Sequence, residues 1–137
     1  MERISEKYDQ NIQALKTLNE SLTELKKRDN NDHYYRIIRD SVIKRFEFCM
    51  DSFWKFLKLY EEKTHGLPAI SSPRGVLKAA LDINLIDQKE YILLIEMVES
   101  RNLTSHTYHE ELAEKISRAI PNYYQLMVTI VDRLQSR

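Results

Sequence analysis

Glycine occurs at two positions only, Gly66 and Gly75, and proline at three, Pro68, Pro73 and Pro121. All but Pro121 fall between residues 66 and 75. These two residue types interrupt helices most strongly, so a chain this poor in them is suited to long unbroken helices. The apolar positions agree. Tyr8, Ile12, Leu15, Leu18, Leu22 and Leu25 are spaced by fours and threes, which draws one stripe down a helix from Ser5 to about Lys27. A second stripe, Tyr34, Ile38, Val42, Phe46, Cys49, Phe53, Phe56 and Tyr60, predicts a helix from Asp32 to about Lys63. At the helical rise that element is roughly 45 Å long, and helices of such length bury their stripes side by side. Phe48 and Trp54 lie off the stripe centre and widen the apolar face.

The connections follow the same chemistry. Asp29-Asn30-Asn31-Asp32 is a polar turn in which Asp32 suits an N-cap. Residues 64 to 72 form a loop, and Ser72-Pro73 has the pattern of an N-cap followed by a first-turn proline. A short helix through Val76, Leu77 and Ala80 should end near Asn84. Asp87 then caps a helix whose buried stripe is Tyr91, Leu94 and Val98. Pro121 lacks an amide hydrogen and disfavours helix at Ile120. It therefore predicts a short helix to Arg118, a break, and a final helix with Tyr124, Met127, Val131 and Leu134 inward. The sum is an all-α, antiparallel up-and-down four-helix bundle with a short extra helix, in a single domain spanning residues 1–137.

Charge and composition narrow the function. Twenty-one Lys and Arg balance 21 Asp and Glu, so the formal net charge is zero. A protein held on nucleic acid mainly through phosphates carries a basic excess, and this one does not. The segment Met1 to Glu6 lacks the apolar core of a signal peptide, and the longest apolar runs, such as Tyr91 to Ile95, are too short to span a bilayer. The lone Cys49 has no partner for an internal disulfide, which fits a reducing compartment. These features predict a cytoplasmic protein with no membrane association.

Several chemistries are excluded by missing parts. A phosphate-cradling loop needs closely spaced glycines, whereas Gly66 and Gly75 stand alone. Metal-dependent nucleotidyl transfer needs neighbouring carboxylates to hold Mg²⁺, and the chain has neither Asp-x-Asp nor a Gly-Ser pair before one. The chain is therefore not itself a nucleotidyltransferase catalyst. His106, His109, Glu110 and Glu111 lack the second cluster that would close a zinc site. No metal and no cofactor are expected.

One dense polar string remains, Arg101-Asn102-Leu103-Thr104-Ser105-His106-Thr107-Tyr108. Arg101 occupies the next inward place after Val98, and an arginine on a buried side needs an anionic partner or an open cleft. His106, five residues on, would point about 140° away on an ideal helix, so cooperation requires the helix to end or distort near Thr104. Thr-Ser-His-Thr suits such an ending, because hydroxyls compete for backbone groups. An imidazole with an ordinary pKa of about 6.5 can move a proton to or from an RNA 2′-hydroxyl or leaving oxygen. A guanidinium can hold a phosphate bidentately, Asn102 can orient either group, and Tyr108 offers a phenol. The plainer alternative is structural. Arg101 then caps carbonyls or pairs with Glu96 or Glu99, His106 is a satisfied buried histidine, and Tyr108 is packing.

The same string resembles the signature of HEPN domains, Arg-x4-His with a polar residue after the arginine, and more closely the subset ending His-x-Tyr. Val42 to Cys49 with Trp54-Lys55, and Ser72-Pro73-Arg74, are similar to segments of the nucleotidyltransferase substrate-binding protein family. Two departures are Met50-Asp51-Ser52-Phe53, where relatives place an acidic residue directly before a small apolar stretch, and His109, which replaces a more usual acidic residue. The resemblance implies a helical bundle, usually a homodimer, working with a separately encoded minimal nucleotidyltransferase. In one implied function this subunit binds the substrate of that enzyme. In the other it is a metal-independent endoribonuclease toxin acting on RNA, with Arg101, His106 and Asn102 as the site. Nucleotidylation of Tyr108 by the partner would then neutralise it.

Overall fold

The computed structural model describes residues 3–135, which form five α-helices and no strand. Helix α1 runs Ile4–Lys26 and α2 runs Tyr35–His65. They lie antiparallel, as their cross-contacts show. Tyr8 meets Phe56 edge-on, Asn11 donates to Ser52 Oγ at 2.8 Å, and Arg45 donates to the Thr17 carbonyl at 2.7 Å. The expected stripes are buried along most of their length, with Leu15, Leu18 and Leu22 of α1 facing Val42, Phe46, Cys49, Phe53 and Phe56 of α2; Ile12 is the exception in α1, exposed, with its neighbour Asn11 buried in its place.

The start of α2 departs from expectation. Asp32 does accept the Tyr34 amide, at 2.7 Å, but within a turn, and the helix proper starts at Tyr35. Tyr34 is consequently exposed, and Arg39 rather than Ile38 takes the inward place. A buried guanidinium is tolerated because carboxylates meet it, as described below.

Gly66 ends α2 in the left-handed conformation, φ 65°, which glycine adopts without steric cost. Helix α3 runs Pro73–Asp82, with Ser72 Oγ accepting the Gly75 amide and Pro73 in the first turn. Helix α4 runs Gln88–Leu103 behind a capping box in which Asp87 and Glu90 satisfy each other's backbone amides. A 3₁₀ turn, Thr104–His106, follows, and α5 runs Glu110–Gln135. α4 and α5 are antiparallel: Arg133 forks onto Glu90 at 2.7 and 3.0 Å, while the Tyr123 hydroxyl meets Ser100 and Glu96.

The break expected at Pro121 does not occur. α5 continues through it, and Ile116, Ser117, Ile120, Tyr123 and Met127 are buried on both sides of the proline. That continuous inward face holds the helix together where local propensity opposes it, and Pro121 itself stands on the exposed side. No helix among the described residues is long and apolar enough to cross a membrane.

Candidate functional site

The polar string occupies the link between α4 and α5. α4 stops at Leu103 because Thr104 turns back on it: its hydroxyl donates to the Arg101 carbonyl at 2.7 Å. Thr107 repeats the device, donating to the Thr104 carbonyl at 3.0 Å, and Thr104 is buried beneath the turn. The helix thus ends where the spacing of Arg101 and His106 required.

Arg101 reaches across to α2. Its Nε and Nη2 donate to the two oxygens of Asp51 at 3.3 and 3.1 Å, and Nη1 lies 3.3 Å from Glu47 and donates to Thr104 Oγ1 at 3.1 Å. The Asp51 bond, outweighing partial burial and aided by the charges of Asp51 and Glu47, raises the guanidinium's pKa above its ordinary value. The partners Glu96 and Glu99, which lie on α4 itself, are not the ones used. Asp51 and Glu47 gave no sequence signal as partners, since they lie 50 and 54 residues away and only packing of α2 on α4 brings them near.

His106 and Tyr108 are exposed on the turn, Tyr108 at 75%. The Tyr108 ring neighbours two imidazoles, 6.3 Å from His106 and 4.2 Å from His109 between ring centres. Asn102 is also exposed and, among the described residues, makes no side-chain hydrogen bond. Nor, among them, does any hydrogen bond or ion pair join Arg101 to His106. The string therefore divides into an arginine committed to α2 and an open His106-Tyr108-His109 surface.

The far end of the turn is pinned to the same helix. Arg39, 3% exposed, forks onto Glu110 at 2.8 and 3.2 Å, lies 3.5 Å from Glu114 and is also bonded to its neighbour Asp40. The Tyr35 hydroxyl donates to Glu114. The Arg39 bond holds the Glu110 carboxyl below its usual range. Arg39 was legible in principle, because it stands three residues before Val42 on the inward side of α2. Among the described residues no group of three His, Cys, Asp or Glu side chains is placed to hold a metal ion.

Comparison with known proteins identifies the frame. A Thermus thermophilus protein of known crystal structure is 37% identical, with a TM-score of 0.78 over 90% of this chain and 98% of its own. A Shewanella oneidensis HEPN toxin, described as tri-AMPylated and in complex with an MNT antitoxin, superposes with a TM-score of 0.70 over all of both chains at 18% identity. A mutant MntA–HpeT toxin–antitoxin structure gives 0.71 at 17% identity, over 94% of this chain and 99% of the other. No curated protein sequence matches the chain. The profile of one family covers residues 6–136, nearly the whole sequence, and the chain belongs to that family, described as nucleotidyltransferase substrate binding protein like.

Proposed function

We propose that the chain is the substrate-binding partner subunit of a separately encoded minimal nucleotidyltransferase, and that Tyr108 is the acceptor it presents to that enzyme. The observation that carries this is an exposed phenol on a turn whose two ends are pinned to α2. In the transfer the phenolic oxygen attacks the α-phosphorus of a nucleoside triphosphate. The bond to the bridging oxygen breaks, pyrophosphate leaves, and the phenolic proton passes to a base of the partner. The AMPylated state described for the Shewanella toxin supports the choice of chemistry. The proposal includes a cytoplasmic homodimer. Phe48 and Leu103 are both exposed, one next to Glu47 in sequence and the other two residues after Arg101, and would give a second copy an apolar contact.

Co-expression with a minimal nucleotidyltransferase, followed by intact and peptide mass spectrometry, tests it. The expected result is one or more nucleoside monophosphate additions on the peptide carrying Tyr108, lost in Tyr108→Phe. Unmodified chain, or modification undiminished in that variant, refutes the acceptor role.

A second reading, a metal-independent ribonuclease, draws on the exposed His106 and the nearby Arg101. In it an RNA phosphate replaces Asp51 and Glu47 as the partner of Arg101, His106 moves the proton and Asn102 orients the phosphate. Incubation with RNA in chelator is the test. Absence of cleavage, or cleavage that survives His106→Ala, removes this reading while leaving the acceptor role standing.

A further inference from the structure

Between α1, the start of α2 and the middle of α5 lies a cavity of about 440 Å³ that opens to solvent. Its size falls within the range of small-ligand sites, roughly 300–1,000 Å³. None of the motif residues lines it. Lys26, Arg28 and Arg118 do, and no carboxylate stands in the wall. Arg28 has one acidic partner outside it, Asp32 at 3.2 Å, and Arg118 has Glu114 at 3.5 Å. Lys26 has none among the described residues. Glu114 is shared with Arg39, so the cavity mouth keeps an excess of positive charge.

Two groups at this wall depart from ordinary hydrogen bonding. The Nε of Arg28 is buried and has no hydrogen-bond partner. Pro121 carries no amide hydrogen, so the carbonyl of Ser117, four residues earlier, loses its helical donor. Both Ser117 and Pro121 line the cavity. A concave wall that carries three cations beside a backbone acceptor without its helical donor suits a ligand that offers an anion and a hydrogen-bond donor together. The remaining surface adds a flat apolar wall from Tyr124 and Leu22, with the side-chain amides of Asn19 and Gln125 nearby.

We propose that this cavity binds a small organic phosphate of mononucleotide size, its phosphate held by Arg28 and Arg118 and its ring lying against Tyr124 and Pro121. Guanidinium forks match phosphate oxygens bidentately, and the aromatic wall and amides suit a flat heterocycle that carries an amino group. An acidic peptide would need the charges but not the apolar wall. The site is independent of Arg101 and does not rest on the acceptor role of Tyr108.

The test is titration of the full chain with AMP, with inorganic phosphate and with adenosine, followed by calorimetry and by amide chemical shifts. AMP should bind with a Kd below roughly 1 mM, shifting amides of residues 22–28 and 117–125. Phosphate and adenosine should each bind at least tenfold more weakly. Arg118→Ala, at a side chain 70% exposed and so neutral for folding, should weaken AMP at least tenfold, and Arg28→Gln should do the same. Pro121→Ala, which restores the donor to Ser117, should also weaken it. Absence of saturable AMP binding overturns the proposal, as does phosphate binding as tightly as AMP. Binding that survives both arginine variants but is lost in Arg101→Gln places the anion at the turn and likewise overturns it.

Discussion

Glu61 should make this protein less stable as pH rises through neutrality, and removing its charge should reverse that. The residue lies near the end of α2, 1% exposed, and neither carboxyl oxygen has a hydrogen-bond partner. Burial, with the charge of Glu62 adding to it, pushes its pKa up to about 8. In the unfolded chain a glutamate titrates near 4.5. Between these values the unfolded state has released a proton that the folded state retains, so stability falls with pH, at up to about 1.4 kcal/mol per unit. The loss is about 1 kcal/mol at pH 5, about 3 kcal/mol at pH 7, and levels off near 5 kcal/mol above pH 8. Glu61→Gln keeps the shape and removes the titration. Its advantage over the parent should therefore grow by about 2 kcal/mol from pH 5 to pH 7, a Tm difference growing by roughly 5–8 °C for a chain this size. Urea unfolding at pH 5, 6, 7 and 8 measures it. A stability difference between Glu61→Gln and the parent that stays constant across that range refutes the reasoning, because a charge penalty must follow the titration.

Three further perturbations probe other features. Arg101→Ala leaves Glu47 and Asp51 facing each other without their cation and should cost about 1 kcal/mol by urea unfolding, with Arg101→Lys recovering part of it. Pro121→Ala should stabilise by about 2 kcal/mol, since an alanine restores the bond to Ser117 and outweighs the entropy returned to the unfolded chain. An unchanged midpoint would mean that water or a side chain already satisfies that carbonyl. Gly66→Ala should cost about 1 kcal/mol in thermal unfolding through backbone strain alone, because nothing lies within 4 Å of the added methyl.

What the sequence reveals and what it conceals follow the range of the forces involved. The caps at Ser72 and Asp87, the end of α4 near Thr104 and the apolar stripes are decided within a turn or two of helix, and they were readable from spacing. Pro121 misled because its local preference is strong while the burial of Ile116, Ile120 and Tyr123 that overrides it is a property of the assembled bundle. Tyr34 misled because α2 starts only at Tyr35, and Ile38 misled because Ile38 and Arg39, four and three residues before Val42, fit the spacing equally while Glu110 on α5 holds Arg39 inward. The residues of the candidate site were identifiable from their types and order. The carboxylates that claim Arg101, and the clamp of Arg39 on Glu110, depend on how α2 meets α4 and α5, which no local pattern encodes.

The clamps at Arg101 and Glu110 give α2 the role of a splint. The span between them is fastened to one helix at both margins and, apart from Thr104 and Thr107, lies exposed. A protease that nicked the chain beside Tyr108 would therefore leave two pieces still seated against each other. The turn could be reshaped, covered or chemically altered while the rest of the molecule keeps its packing.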